Sequence, residues 1–362
     1  MASDRLFDPL PLARGPAMKN RFMLAPLTNR QSHADGRLSD VERNWLEMRA
    51  AGGFALTMTA AAHVQPAGQG FTGQLGAFDD AHVDNLASLA ARLRERGSLS
   101  SLQLHHAGSR AETTLVEEPV APSAAPDRNV RELSDREVEA LRDDFIAAAK
   151  RAERAGFDGV EIHGAHGYIL AEFLSAATNR RTDHYGGSLE NRARIIFEII
   201  DGIRAATGPE FQIGLRLSPE RFGLVLEEIR DVAAEVMQQG KIDFLDMSLW
   251  DVKKEPEEEA LKGRSLLSFF TELPRGQARL GAAGKVMDAA DALDLLDAGC
   301  DFVVIGRAAI LRHDFPERVR RDRAYRSPAL PIGVQHLRDE GLSDEFVYYM
   351  RRWPGFVEEN PA

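Results

Sequence analysis

Residues 134–164 read SDREVEALRDDFIAAAKRAERAGFDGVEIHG and contain a helical pattern followed by a strand pattern. Ser134 and Glu137 predict a capping box at the start of the helix, and Gly156 predicts its end. Between these signals the apolar residues recur at helical spacing. The short apolar run that opens residues 159–164 predicts a strand. A helix followed directly by a buried strand is the repeating unit of proteins with a parallel sheet.

The same alternation of strands and helices continues along the whole chain. Helical patterns at about 80–96, 190–206, 226–239 and 288–298 lie between short, mostly apolar runs, as expected for parallel strands buried on both faces. Eight such units favour a (β/α)₈ TIM barrel, an α/β fold. The alternative is an open doubly wound sheet, but APLTNRQ after the first strand has none of the glycines of a dinucleotide fingerprint. The predicted strands are residues 21–27, 53–60, 101–106, 159–164, 211–218, 242–248, 278–283 and 301–306.

Composition limits the partners and the compartment. The net charge of −11 at pH 7, without a basic block, argues against a nucleic-acid partner. The single cysteine, Cys300, cannot form an intramolecular disulfide or hold an iron–sulfur cluster, which favours a reducing compartment. Neither a signal-peptide core nor an apolar run of about 18 residues is found, so we expect a cytoplasmic protein without a membrane partner.

One loop is longer than the barrel pattern requires. After the third strand, residues 111–134 are non-periodic and contain prolines. In a TIM barrel this loop lies on the face that carries the active site, where loop variation sets substrate choice. We therefore expect an extended loop over the site.

Polar side chains collect where predicted strands end, which is where barrel enzymes place their sites. His163, His166 and Tyr168 follow the fourth strand. Imidazoles donate hydrogen bonds and a phenol can deliver a proton, so these rings suit an oxygen that gains negative charge. A zinc pair lacks a third ligand nearby, and histidines of the core are the structural alternative.

Two further features predict an anion site. Gly284-Lys285 and Gly306-Arg307 end the seventh and eighth strands, where barrels commonly bind phosphate. Ordinary turn chemistry is the alternative for these loops. Arg216 lies inside an otherwise apolar strand, which requires an anion or a carboxylate as its partner. An ion pair with a glutamate such as Glu161 and an anionic cofactor both remain open.

These motifs resemble the Old Yellow Enzyme family of flavin oxidoreductases from about residue 5 to residue 320. LFDPLPL, KNRFMLAPLTNR, QLHHAG, GFDGVEIHGAHGYILAEFLSAATNRRTDHYGGSLENRARI, IGLRLSP and VVIGR occur in the order that the family has. The resemblance implies an FMN-binding TIM barrel at residues 1–325. It also implies a C-terminal extension at 326–362 that packs on the barrel or on a neighbouring subunit of a homo-oligomer.

The resemblance also implies a set of FMN contacts. Thr28 is expected near the flavin O4, Gln103 at the pyrimidine edge, and Arg216 near N1, where it would stabilise the charge of the reduced ring. Pro26, Leu27 and Ala60 are expected against the ring. The residues expected to hold the phosphate are Ala283, Gly284, Lys285, Gly306 and Arg307.

The implied activity is that of an ene-reductase, which uses NADH or NADPH to reduce the C=C bond of an activated alkene. His163 and His166 would hold the carbonyl or nitro oxygen of this small-molecule substrate, and Tyr168 would supply the proton. An amine dehydrogenase or demethylase on the same barrel, and a flavin-binding protein without turnover, are the alternatives.

Three departures from the family pattern concern the site. Ser109 interrupts the usual HAGR run, which leaves the role of Arg110 open. Trp250 stands where a small residue is usual, and either lines the pocket or packs under the next loop. The tail carries Arg351, Arg352 and Trp353, which reach either a neighbouring active site or only the chain's own barrel.

Overall fold

The structure, a computed structural model, describes residues 2–359 and has eight parallel strands around a closed barrel. Each strand pairs with the next along the chain, and the eighth pairs with the first, which confirms the predicted TIM barrel. The strands are β1 (Phe22–Leu24), β2 (Leu56–Met58), β3 (Leu99–His105), β4 (Gly159–Gly164), β5 (Gln212–Leu217), β6 (Phe244–Ser248), β7 (Arg279–Ala283) and β8 (Phe302–Ile305).

Helices surround the barrel, and the predicted ones lie close to their expected bounds. They are α1 (Asp40–Ala51), α2 (Val83–Glu95), α3 (Asp135–Arg154), α4 (Ile169–Leu174), α5 (Leu189–Ala206), α6 (Leu226–Gln238), α7 (Ser268–Thr271), α8 (Ala289–Asp297), α9 (Arg307–Leu311), α10 (Phe315–Arg321), α11 (Val334–Asp339) and α12 (Asp344–Met350). The cap of α3 has the predicted form, because Ser134 and Glu137 exchange side-chain and backbone hydrogen bonds. Gly156 follows this helix with φ +83°, a conformation that favours glycine.

Aromatic side chains fill the barrel interior against glycines. The rings of Phe244 and Phe302 pack edge to face with centroids 5.9 Å apart. A Cβ on Gly214 would lie 2.2 Å from the Phe244 ring, and one on Gly281 would lie 2.1 Å from the Phe302 ring. The large residues therefore occupy the space that neighbouring strands leave free, and the barrel has a packed core.

A hairpin near the N-terminus covers the amino ends of the strands. Leu10 and Met18 pair in an antiparallel bridge. Gln212, the first residue of β5, donates from its amide to the carbonyls of Arg14 and Pro16 at 2.9 and 3.0 Å. This end of the barrel is thereby covered, so a ligand site has to lie at the carboxyl ends of the strands.

The predicted extended loop after β3 is held down by one buried arginine. Two short strands, Val120–Ala121 and Arg131–Glu132, pair within it. Arg181 donates to the carbonyl of Pro122 at 3.1 Å and forms an ion pair with Asp135 at 2.7 Å. The loop is therefore fixed to the segment that follows α4.

The C-terminal segment packs on the barrel of its own chain. Phe346 of α12 packs edge to face on Trp45 of α1, with ring centroids 5.5 Å apart. Leu337, Phe346 and Met350 are buried. Residue 1 and residues 360–362 of the two predicted segments lie outside the described residues, and the boundary at residue 325 stays a prediction. None of the helices within residues 2–359 combines the length and the apolar character needed to cross a membrane.

Candidate active site

Two adjoining cavities open at the carboxyl ends of the strands. The β7–β8 cavity has a volume of about 220 Å³, and the β4 cavity has a volume of about 450 Å³. Predicted residues that line the first are Leu27, Arg216, Ala283, Gly284, Lys285, Gly306 and Arg307. Gln103, His163 and Tyr168 line the second. Pro26, Thr28, His166, Trp250, Tyr349 and Trp353 line both, so the two cavities form one continuous cleft.

A tight turn after β4 brings the three predicted rings together. His166 and Gly167 have φ +62° and +70°, so the chain reverses and returns Tyr168 to the strand end. Nε2 of His163 lies 3.1 Å from Nδ1 of His166. The Tyr168 ring packs against the His163 ring with centroids 5.1 Å apart. A glycine suits the second position, since a Cβ on Gly167 would lie 2.9 Å from Phe222.

Burial sets the protonation of these rings. It lowers the pKa of His163 well below its usual value and lowers the pKa of His166 to about 3. Nearby positive charge, including that of Arg216, contributes in the same direction. Burial raises the pKa of Tyr168, and Arg110 partly opposes the rise. At neutral pH the site therefore contains neutral imidazoles and a phenol that still carries its proton.

Arg110 lies against the cavity despite the unusual serine before it. Its guanidinium lies 5.5 Å from the centroid of the Tyr168 ring and 5.6 Å from that of Phe222. The backbone N–H of Ser109 donates to Glu172 at 3.2 Å, and its hydroxyl donates to the same carboxylate. The inserted serine thus anchors a turn that places Arg110 over the tyrosine.

The ion pair of Arg216 differs from the pairing considered from the sequence. Its Nε lies 3.0 Å from Asp246 Oδ2, whereas Glu161 accepts a hydrogen bond from the Gln103 amide at 2.7 Å. The interpretation with Glu161 as the ion-pair partner is therefore wrong. Asp246 is the residue that pairs in register with Arg216 on the neighbouring strand β6, and strand register is not visible in the sequence. Burial raises the pKa of both carboxyls, which share this one guanidinium.

The β7–β8 cavity has glycines and cations at one end. Lys285 forms an ion pair with Asp251 at 2.9 Å, and the Arg307 guanidinium lies 5.8 Å from the Trp353 ring centroid. A Cβ on Gly284 would lie 2.8 Å from the backbone nitrogen of Asp251, so only glycine allows this close approach. A bound anion would therefore compete with Asp251 for the lysine.

One predicted contact residue lies outside both cavity walls. Ala60 is buried, and its carbonyl accepts a hydrogen bond from the Thr59 hydroxyl at 2.8 Å. The next residue, Ala61, lines the β4 cavity instead. The predicted contact of Ala60 with a flavin stays a prediction.

Aromatic residues from two distant segments cover the cleft. Trp250 after β6 and Trp353 after α12 have ring centroids 5.9 Å apart, and they are 47% and 36% exposed. Arg351 and Arg352 are exposed. Of the two interpretations of Trp250, lining the pocket is therefore the one that the structure supports. The tail contributes Trp353 to the cleft of its own chain.

The match to known proteins decides the family. The model of the NADH:flavin oxidoreductase / NADH oxidase family matches residues 5–326. The chain belongs to this family. It is 35% identical over 352 residues to an NADPH dehydrogenase of Bacillus subtilis, covering 92% of this chain and 98% of that protein.

Solved structures give the same result. An Old Yellow Enzyme homologue from Zymomonas mobilis superposes with a TM-score of 0.79 at 28% identity, covering 94% of this chain and 99% of that one. Morphinone reductase in complex with tetrahydroNAD superposes with a TM-score of 0.78 at 29% identity, covering 94% and 96%. The resemblance to the Old Yellow Enzyme family is thereby confirmed, and this flavoprotein is an NAD(P)H-dependent flavin oxidoreductase.

The residues of the cleft fit the flavin that this Old Yellow Enzyme relative would carry. FMN joins a phosphate dianion to a flat, largely apolar ring. The β7–β8 cavity has Lys285 and Arg307 at one end. Leu27, Ile310 and Phe356 supply apolar surface elsewhere in it. The donor set therefore suits a group with an anionic end and an apolar body.

Two aromatic and polar residues of the cleft were not predicted. Tyr349 lines both cavities. Burial raises its pKa, and its side-chain hydrogen bond with Thr28 partly opposes the rise. Ser248 at the end of β6 accepts or donates a hydrogen bond at 2.8 Å with His166 Nε2. The aromatic composition of the tail was a signal for the first, and the position at a strand end was a signal for the second.

Proposed function

We propose that this flavin oxidoreductase binds FMN and is an ene-reductase, which uses NADH or NADPH to reduce the C=C bond of α,β-unsaturated carbonyl or nitro compounds. One observation supports the proposal above all. A proton-bearing phenol, Tyr168, and two neutral imidazoles, His163 and His166, line one cavity that is continuous with the proposed cofactor cavity. Such a set serves an acceptor whose oxygen gains charge while a neighbouring carbon gains a proton.

Each part of the cleft has a role in this proposed activity. Ala283, Gly284, Lys285, Gly306 and Arg307 hold the phosphate, and Pro26, Leu27, Thr28, Gln103 and Arg216 contact the ring. Bound FMN would supply hydride transfer from the nicotinamide to the β-carbon of the alkene. His163 and His166 donate hydrogen bonds to the substrate oxygen, and Tyr168 delivers a proton to the α-carbon.

The charges of the β4 cavity favour this substrate class over an amine. Arg110 and Arg221 line it, and none of its described lining residues is an aspartate or a glutamate. An amine substrate is a cation at neutral pH and would meet two like charges there. An oxygen that becomes negative is stabilised by the same charges. The intact Tyr168 also argues against a flavin-binding protein without turnover, because binding alone needs no proton donor.

Anaerobic turnover with 2-cyclohexen-1-one tests the activity. We expect the FMN-loaded protein to oxidise NADH or NADPH and to form one molecule of cyclohexanone for each molecule of coenzyme oxidised. Gas chromatography of the product checks this ratio. Oxidation of coenzyme without cyclohexanone, or turnover of a secondary amine in its place, would contradict the proposal.

Binding of 4-hydroxybenzaldehyde tests the oxygen site separately. We expect this phenol to add a long-wavelength charge-transfer band to the flavin spectrum. His163→Ala should weaken its binding by about 10- to 100-fold, because a hydrogen bond to a charged oxygen contributes about 1.5–3 kcal/mol. His33→Ala, at an exposed histidine outside the cleft, is the matched control. A protein that takes up no FMN would overturn the assignment of the cofactor.

A further inference from the structure

Three imidazoles, two of them buried and the third partly buried, form a continuous hydrogen-bonded row that ends on a hydroxyl. Nδ1 of His105 lies 3.3 Å from Nδ1 of His163. Nε2 of His163 lies 3.1 Å from Nδ1 of His166, and Nε2 of His166 lies 2.8 Å from Oγ of Ser248. We call this row the histidine chain. His105, at the end of β3, is its innermost member and does not line either cavity.

Each imidazole of the histidine chain is neutral and therefore carries one ring proton. Burial lowers the pKa of His105, as it does that of His163 and His166. In a neutral imidazole one nitrogen donates and the other accepts. A hydrogen bond between two imidazoles thus has a direction, and that direction fixes which nitrogen of the next ring is the donor.

The far nitrogen of His105 decides between the two directions. Nε2 of His105 is buried and has no hydrogen-bond partner among residues 2–359. If the chain ran inward from Ser248, this nitrogen would carry an N–H group buried without an acceptor. If it runs outward, the same nitrogen is only an unpaired acceptor. A buried donor without a partner is the rarer and costlier arrangement.

We propose that His105 is a positioning residue that donates its Nδ1–H to Nδ1 of His163 and thereby holds His163 as the Nε2–H tautomer. Nε2 of His163 is the atom that lies beside His166, a residue of both cavity walls, so this tautomer presents a donor on the side of the proposed substrate oxygen. The role for the substrate rests on the proposed function. The tautomer itself follows from the hydrogen-bond pattern of the free protein.

The other end of the histidine chain is adaptable. The Ser248 hydroxyl can accept from Nε2 of His166 or donate to it. In the free protein His166 accepts at Nδ1 from His163 and donates from Nε2 to Ser248. Exchange of ring protons with water also populates the tautomer of His166 that carries its proton on Nδ1, and in that tautomer Ser248 donates to Nε2. A charged oxygen beside both rings selects this tautomer. Both histidines are then donors, and only His166 has changed tautomer.

Metal binding and packing are two other roles that His105 could have, but neither explains why a donor is needed at its Nδ1. The described residues contain no group of three or more His, Cys, Asp or Glu side chains arranged to hold a metal ion. Packing is a real contribution, because the ring lies edge to face on Tyr168 with centroids 4.3 Å apart. A phenylalanine would supply that packing equally well. Only a positioning role requires a donor at Nδ1.

The test compares His105→Phe, which keeps a ring but removes the donor, with His105→Asn, whose side-chain amide replaces the Nδ1–H group. The protein is labelled with ¹⁵N in its histidines, and the two-bond ¹⁵N–¹H pattern gives the tautomer of each ring. The signals of His163 are those lost in His163→Gln. We expect Nε2–H for His163 in the unsubstituted protein, with Nδ1 as a hydrogen-bonded acceptor. In His105→Phe the Nδ1 signal should move to the higher ¹⁵N shift of an acceptor without a donor, and in His105→Asn it should return.

Binding of 4-hydroxybenzaldehyde to the FMN-loaded protein gives the functional arm. We expect about tenfold weaker binding in His105→Phe, recovered in His105→Asn, with the FMN dissociation constant unchanged. His33→Phe is the control for an aromatic replacement outside the cleft. Nδ1–H at His163 in the unsubstituted protein, or an Nδ1 signal of His163 that does not move in His105→Phe, would overturn the proposal. The NMR result does not depend on turnover, so failure of the ene-reductase assignment would leave it standing.

Discussion

The backbone turn at His166 and Gly167 places the phenol of Tyr168 over the β4 cavity. Two consecutive residues with positive φ are needed, and the first of them is not a glycine. A histidine in this conformation costs of order 1–3 kcal/mol unless the surroundings hold it there. The backbone N–H of His166 donates to Ser218 at 3.0 Å, and its ring contacts His163 and Ser248. The strain is thus held by the groups that the site uses.

We predict that Tyr168→Phe separates the two half-reactions, which are reduction of the flavin and reduction of the alkene. The rate of alkene reduction should fall by about 10²- to 10⁴-fold, which is the usual contribution of a positioned acid. Reduction of the bound flavin by NADH or NADPH should be nearly unchanged, because it needs no proton from the phenol. Stopped-flow absorbance measures both rates.

Tyr168→Phe needs a control in which a tyrosine outside the cleft is changed in the same way. Tyr348→Phe changes an exposed tyrosine on α12 and should leave both rates unchanged. Equal losses in both half-reactions of Tyr168→Phe would mean that the ring shapes the cavity without supplying the proton.

Most residues that the sequence analysis assigned to the site line the cleft, whereas few of their contacts were predicted. Gln103, His163 and Arg216 were recognised because they are polar residues at the ends of apolar strands. The partner of Arg216 was missed, since Asp246 faces it only through the register of β5 and β6. The hydrogen bond between His105 and His163 was missed for the same reason, because it joins side chains of two neighbouring strands.

Helix α4 and the turn after β3 are joined through one buried carboxyl group. Glu172 of α4 is 5% exposed and accepts hydrogen bonds from the backbone and the hydroxyl of Ser109. Burial raises its pKa to about 7, while the bonds from Ser109 act in the opposite direction. The turn that carries Arg110 therefore depends on a group that titrates near neutral pH.

We predict that Glu172→Gln makes the stability of the protein less sensitive to a rise in pH from 4.5 to about 7. A carboxyl whose pKa is raised by folding stabilises the fold below its unfolded pKa of 4.5, and this contribution is lost as the pH rises through about 7. The free energy of unfolding of the unsubstituted protein should therefore fall relative to that of the variant between these values. The difference should grow by up to about 3 kcal/mol.

Urea unfolding at pH 4.5, 6 and 8 measures this difference. Glu345→Gln, at an exposed residue of α12, is the control and should follow the unsubstituted protein. The two free energies of unfolding could instead differ by the same amount at all three pH values. In that case the substitution would act through packing and not through titration of the carboxyl.

Elements were easier to predict than their contacts. All eight strands were found from continuous apolar runs, and α3 was found from its cap and spacing. Helix α1 was not among the predicted helices, although Ser39 caps it by accepting from the backbone of Glu42. The spacing of Ser39 and Glu42 was a signal for that helix. Glu42 instead directs its side chain to Asn29 and Ser32, so the full capping box is not formed.

Residues from opposite ends of the described chain meet over the cleft. Thr28 follows β1, whereas Tyr349 and Trp353 belong to the C-terminal segment. Trp353 also contacts Trp250, which follows β6. The roof of the cleft is thus built from three remote parts of the chain, which no local pattern could have indicated.

We predict that Trp353→Ala weakens binding of both FMN and 4-hydroxybenzaldehyde, by about tenfold each, because the ring lines both cavities. The melting temperature should change little, since the ring is already 36% exposed. Fluorescence titration and calorimetry measure these quantities. Tyr348→Ala, which removes a more exposed ring of the same segment, should leave both affinities unchanged.

Dilution of the unsubstituted protein adds an independent check. Because Trp353 covers the cleft of its own chain, both dissociation constants should be independent of protein concentration. Affinities that fall together on dilution would mean that the tail acts on a neighbouring subunit.

The C-terminal cover of the cleft has a consequence for biosynthesis. A ribosome makes β1 with Thr28 first and releases Tyr349 and Trp353 only after every barrel strand has been completed. During that interval the nascent barrel presents the proposed flavin site to the surrounding solution without its cover. We therefore expect a chain stalled before residue 340 to release a bound flavin more readily than the finished protein.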